Sequence, residues 1–291
     1  MNNRFLNQLS LISCLSFLLS GCLKEKLPTE VPMIDLEMKE NGRYYLKGKA
    51  DPYQGVGYHE KNGQRISQSV FVDGFRDGEH IVYWPDTGKQ RTIGPYREGF
   101  RHGTHTDWDK EGARVSESTY EDGALVGPYR SWYPRSGAIK EEGRYVKGKR
   151  QGKWIIYFND IDLAFQEPDD RRKSEEANYD KGNLHGLKQN WNINGLLVLH
   201  SSHDHGRLNG RQEAWYPSGV KKESYYYDNG RPAGNHQEWH PNGQKKYDAI
   251  FTQDGVPGKE QFWDANGKSL EYHPDEIPEE LPEGENEVVG G

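Results

Sequence analysis

The side chains best suited to chemistry are gathered in HSSHDH, where His200, His203, Asp204 and His205 lie within six positions. Imidazole and carboxylate are ordinary ligands of zinc-like ions. Side chains alternate across a strand, so His203 and His205 would share a face there and chelate. His102 and His105 form a sparser pair around a glycine. Acidic residues are plentiful but evenly spread, and glycosidic cleavage needs two carboxylates set apart on opposite sides of one bond. The sequence holds no Gly-x-Ser-x-Gly elbow, Walker loop, His-Glu-x-x-His pair or EF-hand loop. A non-enzymatic chain without a cofactor is expected.

The thiols are more informative. The chain opens MNNRF, followed by the apolar run LNQLSLISCLSFLLS, which is too short to span a bilayer as a helix. The run ends in Leu19-Ser20-Gly21-Cys22, which resembles the bacterial lipobox. That resemblance implies cleavage before Cys22 by signal peptidase II, with acyl chains on its thiol. Two or more chains anchor firmly where one binds only marginally. Residues 1–21 are therefore expected to be a lipoprotein signal peptide, with Cys22 as the lipidation site and contact with the membrane. The other cysteine, Cys14, falls in the removed peptide, so no disulfide is expected. Leu23 follows the cysteine in place of Asp, which resembles the outer-membrane default of Gram-negative lipoproteins. Residues 22–42, with two Pro from Lys24 on and mixed charges, read as a spacer between lipid and folded body.

The body that would position these groups is short of Leu, Ile, Val and Phe, yet 12% of the chain is aromatic and 34 residues are Gly. Disordered segments are poor in aromatics, so a thin aromatic core is the better reading. The net charge is −7, and no Lys/Arg cluster stands free of acidic neighbours, which argues against nucleic acid as a partner.

A unit recurs about every 24 residues, its first glycine running from Gly78 through Gly103, Gly127, Gly152, Gly186, Gly210 and Gly234 to Gly258. Five residues after each stands a ring: Tyr83, Trp108, Trp132, Tyr157, Trp191, Trp215, Trp239 and Trp263. A turn glycine follows in most copies, as in Pro-Ser-Gly219 and Pro-Asn-Gly243. Eight residues beyond it comes a second ring column, Tyr96, Tyr120, Tyr145, His203, Tyr227 and Phe251. Runs of six to nine residues between such turns lack helical periodicity and read as strands, so each unit is a β-hairpin. One hairpin cannot bury its rings alone, and neighbours must stack. Trp108, Trp132, Trp191, Trp215, Trp239 and Trp263 form a row that is either core or a ligand groove. Its members are about 10 Å apart, and the second column is expected to fill the gaps on the same face. His203 belongs to that second column, so packing accounts for it and no metal site is assigned.

YVKGKRQGKW and YDKGNLHGLK resemble the MORN repeat Tyr-x-x-Gly-x-x-x-Gly. The fuller unit, with Trp-Tyr-Pro-x-Gly and a following Lys-Glu, is similar to bacterial MORN-variant repeats of the YwqK-like antitoxin type. The resemblance implies an all-β fold: an elongated, single-layer, twisted antiparallel sheet of about nine hairpins. It also implies a scaffold or interaction surface. The repeat domain is expected over residues 43–272, with an insertion at about 159–174 and a disordered acidic tail over 273–291, where seven acids meet no Lys or Arg.

The expected function is a lipid-anchored scaffold of the cell envelope, in the outer membrane of a Gram-negative cell, that binds another macromolecule, a protein before any other class. The antitoxin association sharpens this to an immunity protein against an envelope-targeting toxin. A carbohydrate or cell-wall binder using the tryptophan groove is the other alternative. Choline- and glucan-binding hairpins carry Gly-Trp and Trp-Tyr-Tyr signatures that are absent here.

Overall fold

Among the described residues, eight that are not glycine hold a left-handed backbone: Asn62, Asp73, Glu98, Asp122, Lys147, Lys181, His205 and Asn229. Each is followed directly by a glycine that is also left-handed. Two consecutive left-handed residues make the type I′ turn, whose twist matches that of a hairpin's strands. Seven of these tight turns are the Xaa-Gly steps whose glycine stands three residues beyond the second ring, and Asn62-Gly63 closes the other end of the first hairpin. The Pro-x-Gly segments form the longer loops at the other end of each hairpin.

A computed structural model describes residues 29–159 and 172–270. These residues hold no α-helix, and no helix among them is long and apolar enough to cross a membrane. Nearly all of the strands belong to one long, open sheet. Successive strands from Gly55–Lys61 to Ser269–Leu270 pair antiparallel as a meander. The strand Glu30–Pro32 adds to one edge in parallel with Gly55–Lys61 and makes the sheet mixed. The expected elongated single-layer β-repeat is the architecture observed.

The unit glycine has a definite task. Ser118 faces Tyr129 across the strands, but Thr119 faces Val126, so Gly127 and Pro128 bulge out of that ladder. Gly127 has φ of 67°, as a bulge of this kind requires of its glycine. The same slip recurs opposite Gly78, Gly186 and Gly210. Successive tight turns are also tied to one another. From Gly99 to Gly230 the amide of each tight-turn glycine donates to a carbonyl two residues past the preceding turn, as in Gly99 to Arg76 (2.8 Å), Gly123 to Arg101 (2.9 Å) and Gly230 to Leu208 (2.7 Å).

The folded body begins earlier than the expected boundary at residue 43. Thr29 already accepts hydrogen bonds from the Val56 amide and the Tyr53 hydroxyl. A small separate hairpin, Leu36–Met38 with Tyr44–Leu46, covers the first unit. Leu36, Tyr53 and Phe71 form its buried centre. Phe71 is only 1% exposed and lies 5.2 Å from Tyr44 and 5.8 Å from Tyr53 between ring centroids. Burying one such ring stabilises by about 1.5–3 kcal/mol, so this cap closes the end of an array that has no neighbour there. Residues from 29 to 42 are thus part of the cap where a spacer was expected.

Gly152–Tyr157 and Lys173–Asp180 pair like the strands of other units, with Tyr157 opposite Lys173. Most of the expected insertion, residues 160–171, lies outside the described residues. So do Cys22, the signal peptide and the tail over 273–291.

Candidate interaction surface

The two ring columns do not alternate in one row. The second column alternates instead with the residue two places after each unit glycine. His80, Tyr96, His105 and Tyr120 follow one another at 5.3, 5.6 and 5.0 Å between ring centroids. Tyr145, Trp154 and Tyr179 continue the pattern at 5.0 and 6.5 Å, and Tyr227, His236 and Phe251 at 5.4 and 4.3 Å. The tryptophan column stands three residues farther along the same strands, which turns it to the opposite face.

In the first half of the array the large members of this ladder sit between small cross-strand partners, whereas His236 stacks on Tyr225 at 4.7 Å. His80 is opposite Ser69 and Gly94, and Trp154 is opposite Gly143 and Ala177. His105, Trp154 and His236 are buried, as are Ser69, Ser118, Ala177, Ser201 and Ala249. The imidazoles are held as neutral groups. Burial, helped by the positive charge of Arg76, pushes His80 down to about 4. Burial likewise lowers His105, His203 and His236. His105 and His236 donate from Nε2 to the carbonyls of Pro95 (2.9 Å) and Tyr226 (2.8 Å), which fixes the proton on that nitrogen. Arg150 lies 4.1 Å above the Trp154 ring while bonding Glu141 at 2.6 Å. This face is cohesion: the Nε2 atoms of His105 and His236 are turned to internal carbonyls, while the Nδ1 atoms of His105 and His203 are buried without a hydrogen-bond partner.

The opposite face carries Trp108, Trp132, Trp191, Trp215, Trp239 and Trp263, all half-buried. Cations fill the gaps that tyrosines were expected to fill. Arg114 lies 5.0 Å over Trp132, Lys173 5.9 Å over Trp191, and Lys245 5.7 Å over Trp263. Lys221 is 5.9 Å from both Trp215 and Trp239. Trp108 has Arg114 as its cross-strand partner. The cation stands two residues after the long-loop glycine at Arg114, Lys221 and Lys245, which is the sequence signal that marks it. Carboxylates complete the row: Lys221 pairs with Glu213 at 2.8 Å and Lys153 with Glu176 at 2.6 Å. Burial works to raise Glu213 and Glu176, but bonds from their lysines outweigh it and hold both below the ordinary range. Over two of these units a hollow of about 420 Å³ is lined by Arg211, Glu213, Lys221, Tyr226, Gln237 and Trp239.

The long-loop edge uses a device the sequence did not announce. The residue after the unit ring donates to the backbone of the next unit's ring. Trp84 Nε1 bonds the Trp108 carbonyl (3.1 Å), Tyr133 Oη that of Tyr157 (2.9 Å), Tyr216 Oη that of Trp239 (3.0 Å), and His240 Nε2 that of Trp263 (2.9 Å). Where this position is Asp or Asn, the side chain caps its own loop instead. Asp109 Oδ1 takes the amides of Gly112 and Ala113, and Asn192 Oδ1 those of Asn194 and Leu196.

HSSHDH does not form one site. His203 is in the ring ladder as its column position implied, and His200 stands in mid-strand opposite Gln189 and Glu213. His205 is not His203's partner, because it occupies the left-handed turn position with φ of 47°. Asp204 and His205 meet His185 from the neighbouring strand. His102 faces Asp122 at 3.6 Å, while His105 is in the ladder, so that pair is also split.

No family model matches the chain, and no curated protein matches it. The likeness to MORN-type repeats rests on the motifs of the sequence itself.

Proposed function

We propose that this chain is a non-catalytic scaffold of the cell envelope, lipid-anchored at Cys22, that binds a protein along its tryptophan–cation face. The observation that carries the reading is the composition of that face. Half-buried indoles recur beside Lys, Arg and Glu, and the hollow over Glu213, Lys221 and Trp239 offers an aromatic wall next to both signs of charge. Aromatic anchors with Arg and a polar rim are what protein interfaces are enriched in. Sugar binding asks for free indole faces on which pyranose rings stack. Here Lys221, Lys245 and Arg114 already stand over those rings, which favours a protein over a glycan.

The test is capture from native membranes with wild type and Arg211→Glu. Arg211 is exposed and lines the hollow, so its reversal spares the fold. One stoichiometric protein retained by wild type and lost by Arg211→Glu is the expected result; an envelope-targeting toxin as that protein gives the immunity role. Retention on peptidoglycan or polysaccharide without any protein overturns the proposal. Cys22→Ser is expected to release the chain from the membrane fraction.

A further inference from the structure

We infer that His185, Asp204 and His205 form a binding site for one divalent ion of the zinc class. The three side chains converge at the tight-turn edge of the sheet. His185 Nδ1 lies 3.0 Å from Asp204 Oδ1, and His205 Nδ1 lies 2.7 Å from the same oxygen. All three ligand atoms fall within 4.8 Å of one another. In a tetrahedral site with bonds of about 2.0–2.1 Å, ligand atoms stand about 3.3 Å apart, so the two imidazole–carboxylate pairs need to open by about 0.3–0.6 Å while the imidazole nitrogens settle to the same spacing from within 4.8 Å. Each imidazole then presents a bare Nδ1 and carries its proton on Nε2. Two nitrogens and a carboxylate oxygen fill three positions, and the fourth is left to water.

The other units show why this cluster is not simply how the turn is built. In three other units the residue before the unit glycine caps the next tight turn. Asp77 Oδ2 accepts from the Glu98 amide (3.2 Å), Gln151 Oε1 from Lys181 (3.0 Å) and Asn209 Oδ1 from Asn229 (3.4 Å). His185 occupies that position in its unit, and the turn residue it faces is His205, their rings 5.1 Å apart. An imidazole replaces the oxygen acceptor, and its Nδ1 turns to Asp204 in place of the turn amide. The third unit, with His102 facing Asp122 at 3.6 Å, brings only one imidazole to the equivalent place. Two imidazoles and an acid at one turn are thus specific to this unit. The rings are exposed, His185 by 49% and His205 by 68% of the side chain, so an ion has open access.

The repeat supplies its own control. His185→Asn with His205→Asn recreates the Asn209 and Asn229 pair of the following unit, and asparagine tolerates the left-handed position. The full chain, purified without a histidine tag, is titrated with Zn²⁺ alone by calorimetry. One equivalent should bind, and the double variant should lose at least tenfold in affinity while keeping its thermal midpoint in chelator. Asp204→Asn should weaken binding likewise. Absence of saturable binding to wild type, or an affinity unchanged in the double variant, overturns the inference. A lowered midpoint of the double variant in chelator would transfer the test to Asp204→Asn, whose unchanged affinity overturns it equally.

Discussion

Gly143 should not tolerate a single added methyl group, because Trp154 occupies the space. A Cβ at this position would lie 2.2 Å from Trp154 Cδ2 and 2.3 Å from Cε2. Carbon atoms reach ordinary contact at about 3.5 Å, so the indole must retreat by about 1.3 Å. It has nowhere to go. Trp154 is 2% exposed, with Tyr145 at 5.0 Å, Tyr129 at 5.6 Å and Arg150 over its face at 4.1 Å. Its Nε1 is also tied to the Arg144 carbonyl at 3.3 Å. Overpacking of this kind costs about 1–3 kcal/mol, against which Ala gains about 0.5–1 kcal/mol over Gly in a strand. The net expectation for Gly143→Ala is a loss of about 1–2 kcal/mol. Repeat arrays need not unfold in one step, so the loss is best read locally, by amide exchange of Ile139–Val146 and Gly152–Tyr157. In a Trp154→Leu background the same substitution should be nearly neutral, a coupling of about 1–2 kcal/mol. Unchanged protection in Gly143→Ala, or an equal loss in the Trp154→Leu background, would refute the large-against-small packing of the ladder.

The buried imidazoles should make the fold acid-sensitive above the carboxylate range. His80 is held down to about 4 in the folded chain, so the unfolded chain takes up its proton first, near 6.5. Stability present above pH 6.5 is therefore lost as pH falls from 6.5 towards 4. At pH 5 the His80 share is about 1 kcal/mol once its partial exposure to solvent is discounted. Urea midpoints should fall between pH 7 and 5, less so in His80→Gln; a flat profile over that range would contradict the neutral-imidazole ladder. Tyr216→Phe deletes the hydroxyl bonded to the Trp239 carbonyl and should cost about 0.5–1.5 kcal/mol, read as faster amide exchange of Gly234–Trp239.

Much of the fold was legible because turn chemistry leaves little choice. Glycines at a constant spacing must serve backbone that other residues avoid, and eight in-phase copies left a hairpin array as the economical reading. The pairing of rings was not legible. The place two residues after the unit glycine holds His80, His105, Tyr129, Trp154, Lys188, Gln212 and His236. No single residue type marks that column, although strand parity alone separates it from the tryptophans three residues on. Its partners Ser69, Gly94, Ser118 and Gly143 look nondescript until the register sets them under a ring. The cap over residues 30–53 was missed because it is a single copy and so breaks no pattern. His185 was missed because it is far from Asp204 in sequence and meets it only through the strand register.

The lysines between the tryptophans connect the architecture to the proposed role. Two strands per unit separate equivalent rings by about 10 Å, a gap too wide for indoles to close. A tyrosine in that gap would seal the row into a second aromatic core. Lys221, at 5.9 Å from Trp215 and from Trp239, bridges the gap with an apolar stem and keeps a charged head, and Glu213 at 2.8 Å balances it. The row is therefore held together without being dried out. The ring ladder on the other face supplies the cohesion, and its charges are paired within the sheet, Arg150 with Glu141 at 2.6 Å and Lys188 with Glu175 at 2.9 Å. An array with one such face for stability can leave its second face polar, half-buried and repetitive along its whole length. That is the surface a long or multivalent protein partner would require.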